Sequence, residues 1–286
     1  GVVGVWGVLR IEASTMLGGA AGGTGDPKNS PDGRRLFDQL HYLDDPSTYH
    51  ALYYEPPQTP AHAALPVLLY LHGAGEVGTD VGDLLAEGAT GTPLALLEHG
   101  TAPAALAESF LVVAPQSDTA WDPPAIAAFV EFVLAHFPAD RVDARRIYVT
   151  GHSLGGAGAL RVATLGKFAA CAPVAPAGGV RPRSLAERRV PVWAFHGKND
   201  VVVPSLFSER LVAGLRDAGV DEADARITLY DHAPTPPGWP RSIGHASTIP
   251  AYASADLYDW LLTDRLPDTV TPFQPRTRDA DPPPRL

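Results

Sequence analysis

The chain has 286 residues, 45% of them apolar and 19% charged, which excludes a disordered or low-complexity protein. A net charge of −10, with no run of Lys or Arg, argues against nucleic acid and anionic membrane surfaces as partners. Cys171 is the only cysteine, so an intrachain disulfide and a thiolate metal cluster are ruled out, and no stretch reaches the roughly 18 apolar residues of a membrane span.

Residues 1–35 read as a flexible arm. Gly1 to Gly25 is rich in Gly, Ala and Val, is interrupted by Arg10 and Glu12, and lacks the charged head and long apolar block of an intact signal peptide. Cytoplasmic and secreted placements both fit. Residues 36–266 read as one domain. Phe37 to Leu43 and Tyr49 to Tyr54 flank Asp44-Asp45-Pro46-Ser47, which suggests an antiparallel hairpin at a sheet edge. Val67 to Leu71 is a continuous apolar run, as expected of a strand covered on both faces.

From there the pattern alternates. Helical spacing covers 81–98, Phe110 to Ala114 is strand-like, and Pro124 opens a helix that runs to Phe137. Strand 146–150, helix 154–165, strands 169–175 and 190–196, helix 205–218, strand 225–230 and helix 251–262 follow. Such alternation predicts an α/β fold with a doubly wound, mostly parallel sheet. Residues 267–286 are rich in Pro, Asp and Arg and read as a tail lying over the surface or disordered.

The chemistry is concentrated at strand ends, where ligands bind in such sheets. In Gly151-His152-Ser153-Leu154-Gly155 a β-branched run meets a serine between two glycines at the start of a helix, the context of a nucleophile elbow. A serine hydroxyl needs a base to take its proton and a third group to hold that base. Asp200 closes the turn after strand 190–196, and His245, in Gly244-His245-Ala246-Ser247, ends the long loop after strand 225–230. The Leu71-His72-Gly73-Ala74-Gly75-Glu76 turn can aim a main-chain N–H at a developing oxyanion. Ala74 and Leu154 are the expected donors, each typically worth about 3 kcal/mol.

These stretches, together with Ala114-Pro115-Gln116 and His196-Gly197-Lys198-Asn199-Asp200, resemble the α/β-hydrolase group of esterases and predicted peptidases, over roughly residues 45–265. That group contains feruloyl esterases, polyhydroxybutyrate depolymerases and carboxylesterase-like proteins. The resemblance implies an α/β-hydrolase fold and a Ser153-His245-Asp200 triad. The loop from Asp231 to Gly244 is longer than the family's pattern leads one to expect, which makes His232, nearer the strand end, a rival base. His72, His152 and His196 are expected to be structural, and Cys171 to be a buried thiol.

Gln116, Trp121 and Trp239 are expected to contact substrate, with the two indoles as pocket walls. No His/Cys/Asp/Glu cluster has metal-ligand spacing and the Gly runs match no phosphate-binding pattern, so no metal or cofactor is expected. The interval from Pro176 to Arg189 is too short for a multi-helix cap, so no large cap domain is expected and the cleft should be open. The expected activity is cofactor-free hydrolysis of a small-molecule or polymer-attached ester. Polyester depolymerase, serine peptidase and non-catalytic binding protein are the alternatives.

Overall fold

A computed structural model describes residues 37–44, 48–57 and 64–276. The expected arm, 1–35, lies outside the described residues. Eight strands form one sheet: β1 His41–Asp44, β2 His50–Tyr54, β3 Leu65–Leu71, β4 Leu111–Pro115, β5 Val142–His152, β6 Ala170–Val174, β7 Val192–Gly197 and β8 Ala225–Tyr230. Their order is β1-β2-β4-β3-β5-β6-β7-β8. The edge pair β1–β2 and its junction with β4 are antiparallel, and every other pairing is parallel. The chain has the α/β-hydrolase fold, and its hairpin lies at the sheet edge.

Burial explains why the central strands are uninterrupted apolar runs. All seven residues of β3 are buried, because helices cover both faces. Val67, Leu69 and Leu71 face α3 (Pro123–His136), α4 (Leu154–Ala163) and α6 (Leu206–Asp217), which bring Phe129, Val133, Leu160 and Leu211 to one core. Leu68 and Tyr70 face the other core, built with α1 (Pro93–Glu98), α2 (Ala104–Ser109) and α8 (Ala255–Thr263) through Leu94, Leu106 and Tyr258. Cys171 is fully buried, and burial pushes its thiol above the usual range.

Three stretches differ from expectation. Residues 81–98 break into 3-10 turns at Val81–Leu85 and Glu87–Ala89 before α1 begins. The glycines at 82, 88 and 91 weaken a continuous helix, and the Thr92 hydroxyl accepts from the Ala95 N–H to start a new one at Pro93. Helix 251–262 divides into α7 (Thr248–Tyr252) and α8. Residues 267–276 pack back onto the domain: Phe273 is fully buried edge-on to Phe168 at 5.2 Å, and the Arg276 N–H donates to the Glu131 carbonyl.

Between β6 and β7 stands only α5 (Pro182–Ala186), so no helical cap is inserted there. Among the described residues no helix is long and apolar enough to cross a membrane.

Candidate active site

The register of the central strands sets the site. Leu71, the last residue of β3, pairs with Gly151 near the end of β5, so the His72 turn and the Ser153 turn emerge side by side. Ser153 has φ 53° and ψ −111°, a positive φ costly for a residue with a Cβ. Its N–H donates to the Val174 carbonyl, and its own carbonyl accepts from the Ala157 and Ala177 N–H groups. The turn is tight because a Cβ at Gly151 would lie 2.6 Å from the Leu71 and Gly155 carbonyl oxygens. Leu154, first residue of α4, has an N–H with no partner one turn back, as at any helix start.

Ser153 Oγ lies 2.9 Å from His245 Nε2, and His245 Nδ1 lies 2.7 Å from Asp200 Oδ2. A carboxylate only accepts, so Nδ1 carries the proton of the neutral ring and Nε2 accepts from the serine hydroxyl. Asp200 Oδ1 accepts from the Val202 and Val203 N–H groups at 2.8 and 2.9 Å. Burial alone would raise the Asp200 pKa. Hydrogen bonds from His196 and His245 outweigh it and hold the carboxyl well below the usual range, so it stays ionised.

The loops carrying Asp200 and His245 are tied together. The Val201 N–H donates to the Ile243 carbonyl, and Asn199 exchanges two side-chain bonds with the Ala233 main chain. Gly244, at φ 77°, passes so close that a Cβ there would lie 2.4 Å from the Asn199 carbonyl oxygen. The long 231–244 loop is thus clamped at both ends, and His245 lies opposite Ser153. His232 is exposed beside Asp231, whose carboxylate pairs with Lys198.

The other expected residues divide. Ala74 is exposed at the start of the Ala74–Glu76 turn, which follows the β3 end that pairs with Gly151. Trp239 is partly exposed and reaches across to that turn: a Cβ at Gly75 would touch its ring at 3.4 Å. Trp121 lies instead in the core, 1% exposed, its indole N–H donating to the His72 carbonyl and its ring packed where Gly158 leaves room. Gln116 is buried as well, its amide donating to the Glu76 carbonyl. Both side chains lie behind the site and support its turn; neither reaches its surface.

His72 is buried and neutral, since burial lowers it to about 4; its Nδ1–H donates to the Gly73 carbonyl and its Nε2 accepts from the Ser117 N–H. His196 is buried between the Val203 carbonyl and the Ser208 hydroxyl. The contact that sequence reasoning misses is His152, whose Nε2 lies 2.8 Å from the carbonyl oxygen of His245, 93 residues on. No local signal marks that pairing. Among the described residues no group of His, Cys, Asp and Glu is arranged to hold a metal ion.

A family model described as PET hydrolase-like matches residues 115–211, about a third of the chain, including Ser153 and Asp200. The structure is similar to that of a thermostable esterase, with 26% identity and a TM-score of 0.62 over 79% of this chain and 62% of the other. The chain therefore spans less than two thirds of that esterase. It also resembles a protein from Klebsiella pneumoniae assigned as a dienelactone hydrolase, at 17% identity and a TM-score of 0.51, over 78% of this chain and 95% of that one, a likeness of fold. No curated protein sequence matches the chain.

Proposed function

We propose that this chain of α/β-hydrolase fold is a serine carboxylic ester hydrolase, on the strength of the series Ser153 Oγ–His245 Nε2 at 2.9 Å and His245 Nδ1–Asp200 Oδ2 at 2.7 Å. As Ser153 Oγ attacks the ester carbonyl, His245 takes the hydroxyl proton. Asp200 fixes the tautomer and stabilises the imidazolium. The Ala74 and Leu154 N–H groups hold the oxyanion. His245 then returns its proton to the departing alcohol, leaving an acyl-Ser153 ester. Water, deprotonated by the same imidazole, releases the acid and restores the serine.

The test is labelling with a fluorophosphonate, followed by turnover of p-nitrophenyl acyl esters of increasing chain length and of methyl ferulate. Labelling confined to Ser153 is the expected result. An unlabelled chain with no turnover would favour a non-catalytic binding protein. His245→Ala should lower kcat by about 10⁴-fold or more, whereas His232→Ala should stay within about twofold of wild type. The reverse pattern would move the base to His232.

A polymeric ester is a second reading, favoured by a specific observation. The large apolar side chains exposed among the described residues are Val77, Val201, Val202, Leu206, Phe207, Trp239 and Ile243. All seven follow the oxyanion turn, follow Asp200 or precede His245 by a few residues. Apolar side chains exposed on the segments that flank the triad residues and the His72–Glu76 turn suit an ester held in a hydrophobic surface. The PET hydrolase-like match supports the same reading. Release of soluble acids from a polyester film, lost in Ser153→Ala, is its measurement. Amide turnover comparable to ester turnover would instead indicate a peptidase.

A further inference from the structure

Behind the base stands a carboxyl that the proposed mechanism does not use. Glu76 is 6% exposed, and its Oε2 has no hydrogen-bond partner. A Cβ at Gly73 would lie 3.1 Å from Glu76 Oε2 and 3.3 Å from His152 Nδ1, so the two atoms border one space that only a glycine leaves open. The opposite nitrogen of His152, Nε2, is 2.8 Å from the His245 carbonyl oxygen. A carbonyl only accepts, so Nε2 bears the proton and Nδ1 presents a lone pair to that space. The His152 and His245 rings lie with centroids 4.7 Å apart.

We propose that Glu76 and His152 are positioning residues that form a second brace on His245: the protonated Glu76 carboxyl donates to His152 Nδ1, and His152 Nε2–H donates to the His245 carbonyl. This rests on the ester-hydrolase reading for its consequence in turnover, but not for its existence, which the shared space beside Gly73 and the unpartnered Oε2 support. Asp200 fixes the base's ring, whereas this brace fixes its main chain. No proton moves through it during the reaction. Only an unprotonated imidazole can accept at Nδ1, and His152 is such a ring: burial, with the nearby His245, lowers it to about 3.

Glu76 meets the complementary requirement. Burial raises it to about 7; the Gly73 and Glu76 N–H groups oppose that only in part, and the charge of Asp83, on the Val81–Leu85 turn, adds to it. Tyr70 on β3 is also pushed up, mainly by burial and further by Glu76. Across Gly88 the nearest group is the neutral indole N–H of Trp239. Around His152, Asp200 opposes the lowering and His196 adds to it. Below about pH 7 Glu76 holds its proton and the brace is made; above it, a carboxylate faces a lone pair and the brace is lost.

The test compares wild type with Glu76→Gln, which donates at every pH, Glu76→Met, which never donates, and His152→Phe. The ratio of kcat for Glu76→Gln to wild type should be near 1 at pH 6 and rise to about fivefold at pH 8.5, and Glu76→Met should lie about tenfold below Glu76→Gln at both with KM little changed. In the His152→Phe background the choice of Gln or Met at 76 should no longer matter. Nitrogen NMR of the intact protein supplies a readout independent of turnover. His152 Nδ1 should shift near pH 7 in wild type and not in Glu76→Gln. A flat kcat ratio together with an unmoving Nδ1 signal would overturn the brace, as would Glu76→Gln losing as much as Glu76→Met. Absence of fluorophosphonate labelling would overturn the ester-hydrolase reading instead, and the NMR titration would still decide the brace. If Glu76→Met does not fold, the Gln comparison and the titration suffice.

Discussion

Ser153→Ala should lower kcat on p-nitrophenyl acetate by about 10⁶-fold with almost no change in stability, and Asp200→Asn by about 10⁴-fold. The reason for the first is that Ser153 Oγ lies 2.9 Å from an imidazole which is itself held by the Asp200 carboxylate, whereas the other hydroxyl in such a series, Ser208 on His196, is fully buried and out of reach of a substrate. For the second, Asn can present its amide N–H to His245 Nδ1 and so favour the wrong tautomer. The fold does not depend on the hydroxyl, whose recorded partner is His245. Alanine keeps a Cβ and therefore keeps the strain of φ 53°. Glycine does not, so Ser153→Gly should be as inactive as alanine yet more stable by about 1 kcal/mol. Turnover and thermal melts of the three proteins separate the roles. A Ser153→Ala enzyme retaining more than about a thousandth of wild-type turnover would remove the serine from the chemistry.

What the sequence reveals depends on how local the cause is. The elbow is legible because its steric demand falls on five consecutive residues, and β3 is legible because a strand covered on both faces has no polar positions to confuse its period. The sheet edge is legible from two aromatic runs around a turn. Trp121 is not. A tryptophan just after a strand end reads as a pocket wall, and what puts it in the core instead is Gly158 on α4, whose missing side chain opens the space the indole fills. The same holds for Phe273, buried against Phe168 from within a segment of tail-like composition. The helical spacing of 81–98 is genuine on the apolar side, since Val81, Leu84, Leu94 and Leu97 are all buried. Three glycines and a proline decide the backbone instead. His152 looks structural in sequence and is structural, but what it holds is the main chain of His245, a partner set by the closing of the 231–244 loop.

Gly155→Ala should be the most damaging single methyl group added at any glycine among the described residues. A Cβ at 155 would stand 1.9 Å from the Leu71 carbonyl oxygen and 2.5 Å from that of His72. Both are main-chain atoms at the end of β3, where no rotamer change can make room. Relief requires α4 and β3 to separate by roughly 1 Å, which breaks the contact between the two buried elements that carry the serine and the His72–Glu76 turn. Overpacking against backbone belongs to the tail of mutational effects beyond about 4 kcal/mol, against a total stability of about 5–15 kcal/mol. For a domain of this size that lowers Tm by about 8–16 °C. Whatever folded protein remains should have lost most of its turnover, because the Ser153 turn and the turn that carries the proposed oxyanion donor Ala74 emerge side by side from β5 and β3. Gly179→Ala is the control: nothing lies within 4 Å of a Cβ there, and its φ is unremarkable, so melting and turnover should match wild type. If the two variants melt together, the close approach of β3 and α4 is not what holds the elbow in place.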